Sequence, residues 1–426
     1  MSMKDVKRAL PDLFKLASHS LESLTILDLD VFSFRPPELK AMLDSLPRLR
    51  ELEMSGVQKK YQNALTDTLP HLCTLILAFY DDDTDTRPFL WTPHGAPNLQ
   101  TLTLYNGTLP AKEDTSLTFP AVHTLRVCPR LFPDDVDACT RIFPNVRHAT
   151  LDFPEGYGAL SPAFRMDMRT YRPGMAWPDP SVQAWRASFL VRVQTAEHRG
   201  PDAWPHLQSV RAAGRDAWNL GWAGLARGVA RLEMACGQWS WREQAPGAPG
   251  GQRTLAGVLG ELRPGCVVFH PSAFDSPYTR RVFRWPQLLA LQDAPGVRRL
   301  AMVFCEMVGR GYVCRAVWPR QLREVLEKTA VSSLLIRLDY AYPASQERSD
   351  LFERWRAGLL GVTSALRVVL FQVQSEAVLG WAKEERAGGI IWKEMDEYTK
   401  RKFLASENIS PASVEPCDWC ERRARH

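Results

Sequence analysis

The 426-residue sequence contains no uninterrupted apolar run that approaches the length of a membrane-spanning helix. It begins MSMKDVKRALPDLF, which lacks the apolar core of a secretory signal peptide. Its nine cysteines are odd in number and scattered, which does not suit a disulfide framework. These absences predict a soluble intracellular protein, cytoplasmic or nuclear, that has no membrane partner.

Motifs for catalysis and nucleotide binding are also missing. The sequence has no GxSxG, HExxH, P-loop or GxGxxG pattern. The formal net charge of +5 is small for this length, and the first 150 residues contain 16 basic and 19 acidic residues. A phosphate-lined groove needs a run of Lys and Arg. The sequence therefore predicts a non-enzymatic protein that uses no cofactor and binds no nucleic acid.

What the sequence does contain is a repeat of the form L-x-x-L-x-L, best formed in PRLRELEM (Pro47 to Met54). Alternate residues of a short strand point to the same side, so the unit must stack on copies of itself to bury its leucines. First positions are separated by 23 to 27 residues through residue 151, within the leucine-rich range of about 20–29. The copies are Leu24, Leu27, Leu29; Leu49, Leu52, Met54; Leu72, Leu75, Leu77; Leu99, Leu102, Leu104; Val122, Leu125, Val127; and Val146, Ala149, Leu151.

A shared proline supports the repeat assignment, because it stands two residues before the first apolar position in five copies. Proline pre-sets φ and has no N–H to leave unpaired, so it suits the position before a strand. The five residues are Pro47, Pro70, Pro97, Pro120 and Pro144.

The same pattern divides the chain into five segments. We predict an N-terminal helix or cap at 1–20, regular repeats at 21–154, an insertion rich in Pro, Gly and aromatics at 155–200, irregular longer repeats at 201–375, and a C-terminal helix and polar tail at 376–426. Within these, LRVVLFQV (366–373) is predicted as the last strand, and a charged helix is predicted near 391–403. Of the 14 tryptophans, 13 follow residue 150, either as core or as anchors for a partner.

The predicted fold is an α/β leucine-rich-repeat solenoid, a curved arc with parallel strands on its concave face and helices and loops on its convex face. The residue between the last two apolar positions of each strand should face the concave side. These binding candidates are Asp28, Glu53, Ile76, Thr103, Arg126, Thr150, Arg211 and Glu233. Their mixture of charged, polar and apolar types favours a protein partner over a phosphate-lined groove.

Two clusters allow a different interpretation. Asp81, Asp82, Asp83 and Asp85 follow the third strand, and clustered carboxylates can bind a hard cation, although the EF-hand spacing is missing. With the 154–200 insertion, this loop is the alternative site of a hydrolase or metal-dependent enzyme.

Cys417 and Cys420 form a CxxC that could supply half a zinc site or a redox pair. There is no second CxxC, and His426 is the only nearby histidine, so the prediction is no metal.

The strands PRLRELEM, PHLCTLIL, PNLQTLTL and PAVHTLRV, together with the irregular repeat length, resemble the leucine-rich-repeat region of fungal F-box-like proteins. The resemblance covers roughly residues 20–375. It implies a substrate-recognition role, because in that family the F-box binds an adaptor of a cullin-based ubiquitin ligase and the repeats recruit the substrate. The residues before Leu24 lack an F-box-type opening, so no adaptor binding is expected of this chain alone.

Overall fold

A computed structural model describes residues 12, 16–27, 29, 34–58, 61, 69–79, 96–105, 118–127, 142–151, 204, 206–212, 228–234, 255–269, 288, 291–304, 317–338, 353–359, 365–373, 376–386 and 389–406. The chain divides into two compact units. Unit 1 comprises Met1–Leu207 with Ala223–Ala226, and unit 2 comprises Gln208–Trp222 with Arg227–His426. In these ranges most strands are parallel and helices are few, which is the arrangement expected of stacked strand-containing repeats.

Unit 1 contains six described strands, each parallel to the next and adjacent to it in chain order. They are β1 (Ser23–Ile26), β2 (Glu51–Val57), β3 (Thr74–Phe79), β4 (Thr101–Tyr105), β5 (Thr124–Val127) and β6 (His148–Leu151). Helix α1 (Pro36–Asp44) lies between β1 and β2 and begins with two prolines. The first turn of a helix tolerates proline because the N–H groups there have no intrahelical partners. Strands β2 to β6 lie at the positions where the L-x-x-L-x-L pattern predicts strands.

The leucine positions of unit 1 form one buried side of the sheet, which we call the leucine face. Its middle row is in register from Leu52 through Leu75, Leu102 and Leu125 to Ala149, and each of these residues is at most 2% exposed. Burial of a leucine side chain contributes roughly 1.5–3 kcal/mol. The period-two alternation therefore explains why these short segments form strands.

The shared proline has a more specific role than the sequence suggested, because it occupies the second position of a four-residue turn. Proline pre-sets the φ that this position requires. The closing hydrogen bonds run from Leu49 N to Leu46 O (3.1 Å), Leu72 N to Leu69 O (3.1 Å), Leu99 N to Ala96 O (3.2 Å) and Val122 N to Phe119 O (3.2 Å). The turn stops each incoming segment at the point where the strand begins.

Asparagine links neighbouring turns at two places. The Asn98 side chain donates Nδ2 to the carbonyl of Pro70 (2.7 Å), and Asn145 does the same to Pro120 (2.8 Å). Each asparagine lies directly after the proline of its own repeat. These side-chain bonds connect the turn of one repeat to the turn of the preceding repeat, as the backbone bonds connect neighbouring strands.

The first repeat has a different register from the one predicted. Leu24 pairs with Leu52 and Ile26 pairs with Met54, so Leu24 holds the middle position rather than the first. The predicted member Leu27 is 61% exposed. The segment LESLTILDL fits L-x-x-L-x-L in two ways, and only hydrogen bonding to β2 decides between them.

Unit 2 contains eight described strands. They are β7 (Ser209–Ala212), β8 (Arg231–Met234), β9 (Cys266–Phe269), β10 (Arg299–Phe304), β11 (Ser333–Leu338), β12 (Val368–Val373), β13 (Glu376–Arg386) and β14 (Gly389–Glu394). It also contains the helices α2 (Leu255–Leu262), α3 (Val317–Glu327) and α4 (Glu397–Ser406), and a helical segment at 353–359. Strands β7 to β12 are parallel, whereas β13 and β14 are antiparallel to their neighbours.

Two predictions for the C-terminal segment were wrong. Strand β12 is followed by the β13–β14 hairpin, so it is not the last strand, and residues 391–394 are strand rather than helix. Helix α4 begins at Glu397. The charged residues of KEMDEYTKR suggested a helix, but pairing with β13 extends the sheet through Glu394. Ile390, Ile391 and Trp392 favour this outcome because isoleucine and tryptophan have high strand propensity.

On β9 to β12, the side of the sheet opposite the leucine positions carries an apolar row, unlike a solvated strand face. Val268, Ala301, Leu335 and Leu370 are in register and buried, and Met395 belongs to the same cluster. Phe403 of α4 packs against this cluster. The C-terminal segment therefore contributes Met395 and Phe403 to an apolar cluster on the side of the sheet that carries the polar face in unit 1.

Gly380 permits this close packing of β13. A Cβ added there would lie 2.5 Å from Leu370 Cδ2 and 3.4 Å from Met395 Sδ. The absence of a side chain lets Leu370 and Met395 approach the backbone.

Lys400, which is only 4% exposed, pairs through Nζ with Glu397 Oε1 at 2.9 Å.

Asp396 caps the amino end of α4. Its Oδ1 accepts the backbone N–H of Thr399 (2.7 Å) and its Oδ2 accepts the Thr399 hydroxyl (2.8 Å). Both hydrogen bonds lower the pKa of Asp396, and the bond from the Thr399 backbone N–H has the larger effect. Because the folded pKa lies below the unfolded value, the ionised cap stabilises α4 above the unfolded pKa, and this contribution is lost as pH falls through the folded pKa.

We expect the carboxyl group of Asp396 to titrate below the usual aspartate pKa of about 3.9 in a side-chain NMR titration. Thr399→Val keeps the backbone N–H and removes the hydroxyl donor, so it should raise the midpoint only part of the way back. A midpoint at or above the ordinary value in the unsubstituted protein would contradict the capping geometry.

Three of the tryptophans in the described part of the chain belong to the core. Trp204 is 2% exposed and donates Nε1 to Phe143 O (2.8 Å), and Trp355 and Trp381 are 2% and 6% exposed. Trp392 is half-buried. For these side chains, the core interpretation fits better than that of exposed anchors.

Candidate binding face

The side of unit 1 opposite the leucines carries two rows of side chains, and we call these rows together the polar face. The first row is Thr25, Glu53, Ile76, Thr103, Arg126 and Thr150. The second row is Ser23, Glu51, Thr74, Thr101, Thr124 and His148. Both rows run across all six strands because the parallel registers match residue for residue.

The structure brings together five of the predicted candidates in one row and replaces a sixth. Glu53, Ile76, Thr103, Arg126 and Thr150 are consecutive neighbours across β2 to β6. The corresponding position in β1 is held by a threonine, since Thr25 pairs with Glu53. Thr25 thus holds the place in β1 that the sequence assigned to Asp28, and Asp28 itself lies outside the described residues.

Sequence reasoning missed the second row. Each member of the second row directly precedes the middle leucine of its strand in the sequence. It therefore lies two residues before the first-row member of the same strand, and the strand period of two places both on the same side of the sheet. The signal was present in the repeated dipeptide Thr-Leu of β3, β4 and β5. Considering only the residue after the middle leucine left out half of the face.

Eleven of the twelve side chains of the polar face are at least partly accessible. Ser23, Thr25, Glu51 and His148 are exposed, whereas only Thr103 is buried, at 6% exposed. The remaining members are half-buried. Neighbouring strands lie about 4.8 Å apart, so the face offers a regular array of side chains at that spacing.

The charges on the polar face are separated. Glu51 and Glu53 stand on β2, and Arg126 and His148 stand on β5 and β6. Hydroxyl groups and Ile76 occupy the strands between them. Three strand spacings separate β2 from β5, or roughly 14 Å, so the face has an acidic end and a basic end.

Arg211 and Glu233, the two candidates in unit 2, are engaged with each other. Glu233 Oε1 lies 3.6 Å from Arg211 Nε, and Glu233 Oε2 lies 3.0 Å from Arg231 Nη2. The side chain of Glu233 is 7% exposed, and those of the two arginines are 11% and 12% exposed. This cluster is a nearly buried ion network rather than an open patch.

The remaining sequence candidates lie outside the described residues. These are the Asp81–Asp85 loop, the 154–200 insertion, and the pair Cys417 and Cys420. Within the described ranges, no three His, Cys, Asp or Glu side chains are grouped in a way that could hold a metal ion. Nor does any helix in those ranges have the length and apolar character needed to cross a membrane.

No protein-family model matches the chain, and no curated protein matches its sequence.

Proposed function

We propose that the protein is a non-enzymatic interaction scaffold that binds another protein through the polar face of unit 1. The observation that supports this best is the continuous register of partly accessible polar side chains across six strands. A rigid sheet holds these groups at fixed spacing, which lowers the entropy cost of binding a complementary surface.

The separated charges suggest how a partner would be oriented. A partner with basic groups at β2 and acidic groups at β5 and β6, roughly 14 Å apart, would complement Glu53 and Arg126. Such complementarity contributes more to specificity and association rate than to affinity. The hydroxyl groups between the two ends can donate or accept hydrogen bonds with either kind of group.

We further propose that the strands are leucine-rich repeats and that the bound protein is a substrate presented to a ubiquitin ligase. The matching registers, the turn prolines and the repeat spacing support the repeat assignment. The ligase role is supported by the resemblance of the PxLxxLxL strands alone.

The test is affinity purification from cells with the unsubstituted chain, Glu53→Lys, Arg126→Glu and the control Glu324→Lys, whose site is exposed on α3. We expect one protein to be recovered with the unsubstituted chain and the control, and about tenfold less of it with either polar-face variant. Equal recovery with all four, or no specific protein, would refute the polar face as the binding site.

The same experiment separates the broader proposal from the narrower one. Ubiquitin-ligase subunits among the recovered proteins support the ligase role, and a partner recovered without them leaves only the scaffold. Turnover of a small molecule by the isolated chain, with no protein partner, would refute both.

A further inference from the structure

Strand β14 forms an outer edge of the unit 2 sheet. It pairs with β13 on one side, and in the described part of the chain no strand pairs with its other side. An unpaired edge presents a row of backbone N–H and C=O groups that can accept another strand.

The backbone groups that point outward follow from the hairpin register. Met395 N donates to Gly380 O (2.8 Å), so residue 395 faces β13. In an antiparallel pair, alternate residues bond to the same neighbour. Residues 391 and 393 therefore also face β13, and the backbone groups of Ile390, Trp392 and Glu394 face away from it.

The side chains of this strand are apolar for an exposed edge. Ile390 and Ile391 are 46% and 48% exposed, and they stand on opposite sides of the strand. Lys393 is the basic residue of β14, and its Nζ lies 3.7 Å from Glu384 Oε1 on β13. The two charged residues of β14, Lys393 and Glu394, are both exposed and opposite in sign, so the edge carries no net charge that would oppose pairing.

We propose that β14 pairs antiparallel with β14 of a second copy of the chain, in a register centred on Trp392. A two-fold axis perpendicular to the sheet keeps each residue on its own side, so Trp392 faces its equivalent, Ile390 faces Glu394, and Ile391 faces Lys393. The three outward-facing residues then form about six hydrogen bonds between the copies.

A second copy fits this edge because the register is self-complementary. All three outward residues find an outward partner, and no like charges stand directly opposite each other. The two-fold arrangement also closes the assembly, since each copy uses its own edge to cover the same edge of the other.

The test exploits position 391, which faces Lys393 of the other copy but Glu384 of its own hairpin. Ile391→Lys introduces two like-charge pairs in the dimer and an attractive pair within each hairpin. Ile391→Glu does the reverse. Like charges opposite one another destabilise a strand pair and unlike charges stabilise it. If the substitutions acted only on the hairpin, Ile391→Glu would therefore be the more damaging variant. If they act on the dimer, Ile391→Lys is the more damaging one.

Sedimentation equilibrium of the full chain, up to on the order of 100 µM, should show a dimer for the unsubstituted protein. We expect the dimer of Ile391→Lys to dissociate about tenfold more readily than that of Ile391→Glu. A monomeric unsubstituted protein overturns the proposal. So does equal dissociation of the two variants, or tighter association of Ile391→Lys. Circular dichroism that matches the unsubstituted chain establishes that each variant is folded.

Discussion

Trp355→Ala is expected to lower the free energy of unfolding of unit 2 by about 3–5 kcal/mol, the cost of truncating a large buried aromatic residue. Trp355 is 2% exposed and lies in the helical segment 353–359. Its ring meets that of Phe371 edge to face, with centroids 6.3 Å apart and planes at 76°. The substitution removes this contact and leaves a cavity between the helix and β12.

The loss should extend to the hairpin, because the aromatic contacts continue through Phe371. The ring of Trp381 on β13 lies 5.7 Å from that of Phe371 at 77°, and the Arg356 guanidinium lies 5.7 Å from the centre of the Trp381 ring. We therefore expect faster amide exchange in both β12 and β13 of the variant.

The measurement is urea unfolding followed by far-ultraviolet circular dichroism, with hydrogen exchange to locate the change. Arg354→Ala is the matched control, since Arg354 lies next to Trp355 and is exposed. Its stability should change by less than about 0.5 kcal/mol. A loss below about 1 kcal/mol for Trp355→Ala would contradict the packing described for this residue.

Glu233→Ala is expected to destabilise unit 2 by about 3 kcal/mol, because it leaves Arg211 and Arg231 without their shared carboxylate. Breaking a buried ion network by removing one member is costly, since the remaining charges stay desolvated. Both arginine side chains retain slight exposure, 11% and 12%, which places the expected loss at the lower end of the range.

A triple replacement tests the cause of that loss. With Arg211→Met, Arg231→Met and Glu233→Leu together, none of these three charges remains to be desolvated, and stability should return to within about 1 kcal/mol of the unsubstituted protein. Urea unfolding measures both variants. If the triple variant were as unstable as Glu233→Ala, the loss would come from packing rather than from uncompensated charge.

The regular repeats could be located from the sequence because their signal is local. A leucine at every second strand position and a proline two residues ahead of the first specify both the strand and the turn before it. Hence β2 to β6 appear where the pattern placed them. The five candidates from Glu53 to Thr150 share one row for the same reason.

The first repeat shows where local information ended. The pattern can be fitted with Leu24 as its first position, followed by Leu27 and Leu29, or with Leu24 as its middle position, followed by Ile26. The choice between the two depends on which residues bond to β2. Pairing with a neighbouring strand is a long-range property, and a slip in register changes which side chain joins the face. This is why the neighbour of Glu53 in β1 is Thr25, which the sequence pattern did not indicate.

The sequence by itself determined that the chain builds parallel strands from repeated leucines and which residues of most strands lie away from those leucines. Only the tertiary structure decided which of those residues remain accessible. In unit 1 the polar face stays partly open, whereas in unit 2 the corresponding positions Val268 to Leu370 are buried in one apolar cluster with Met395, and Phe403 packs against that cluster. The physical reason is that a period of two assigns a side chain to one side of a sheet, while burial depends on which distant segment packs there.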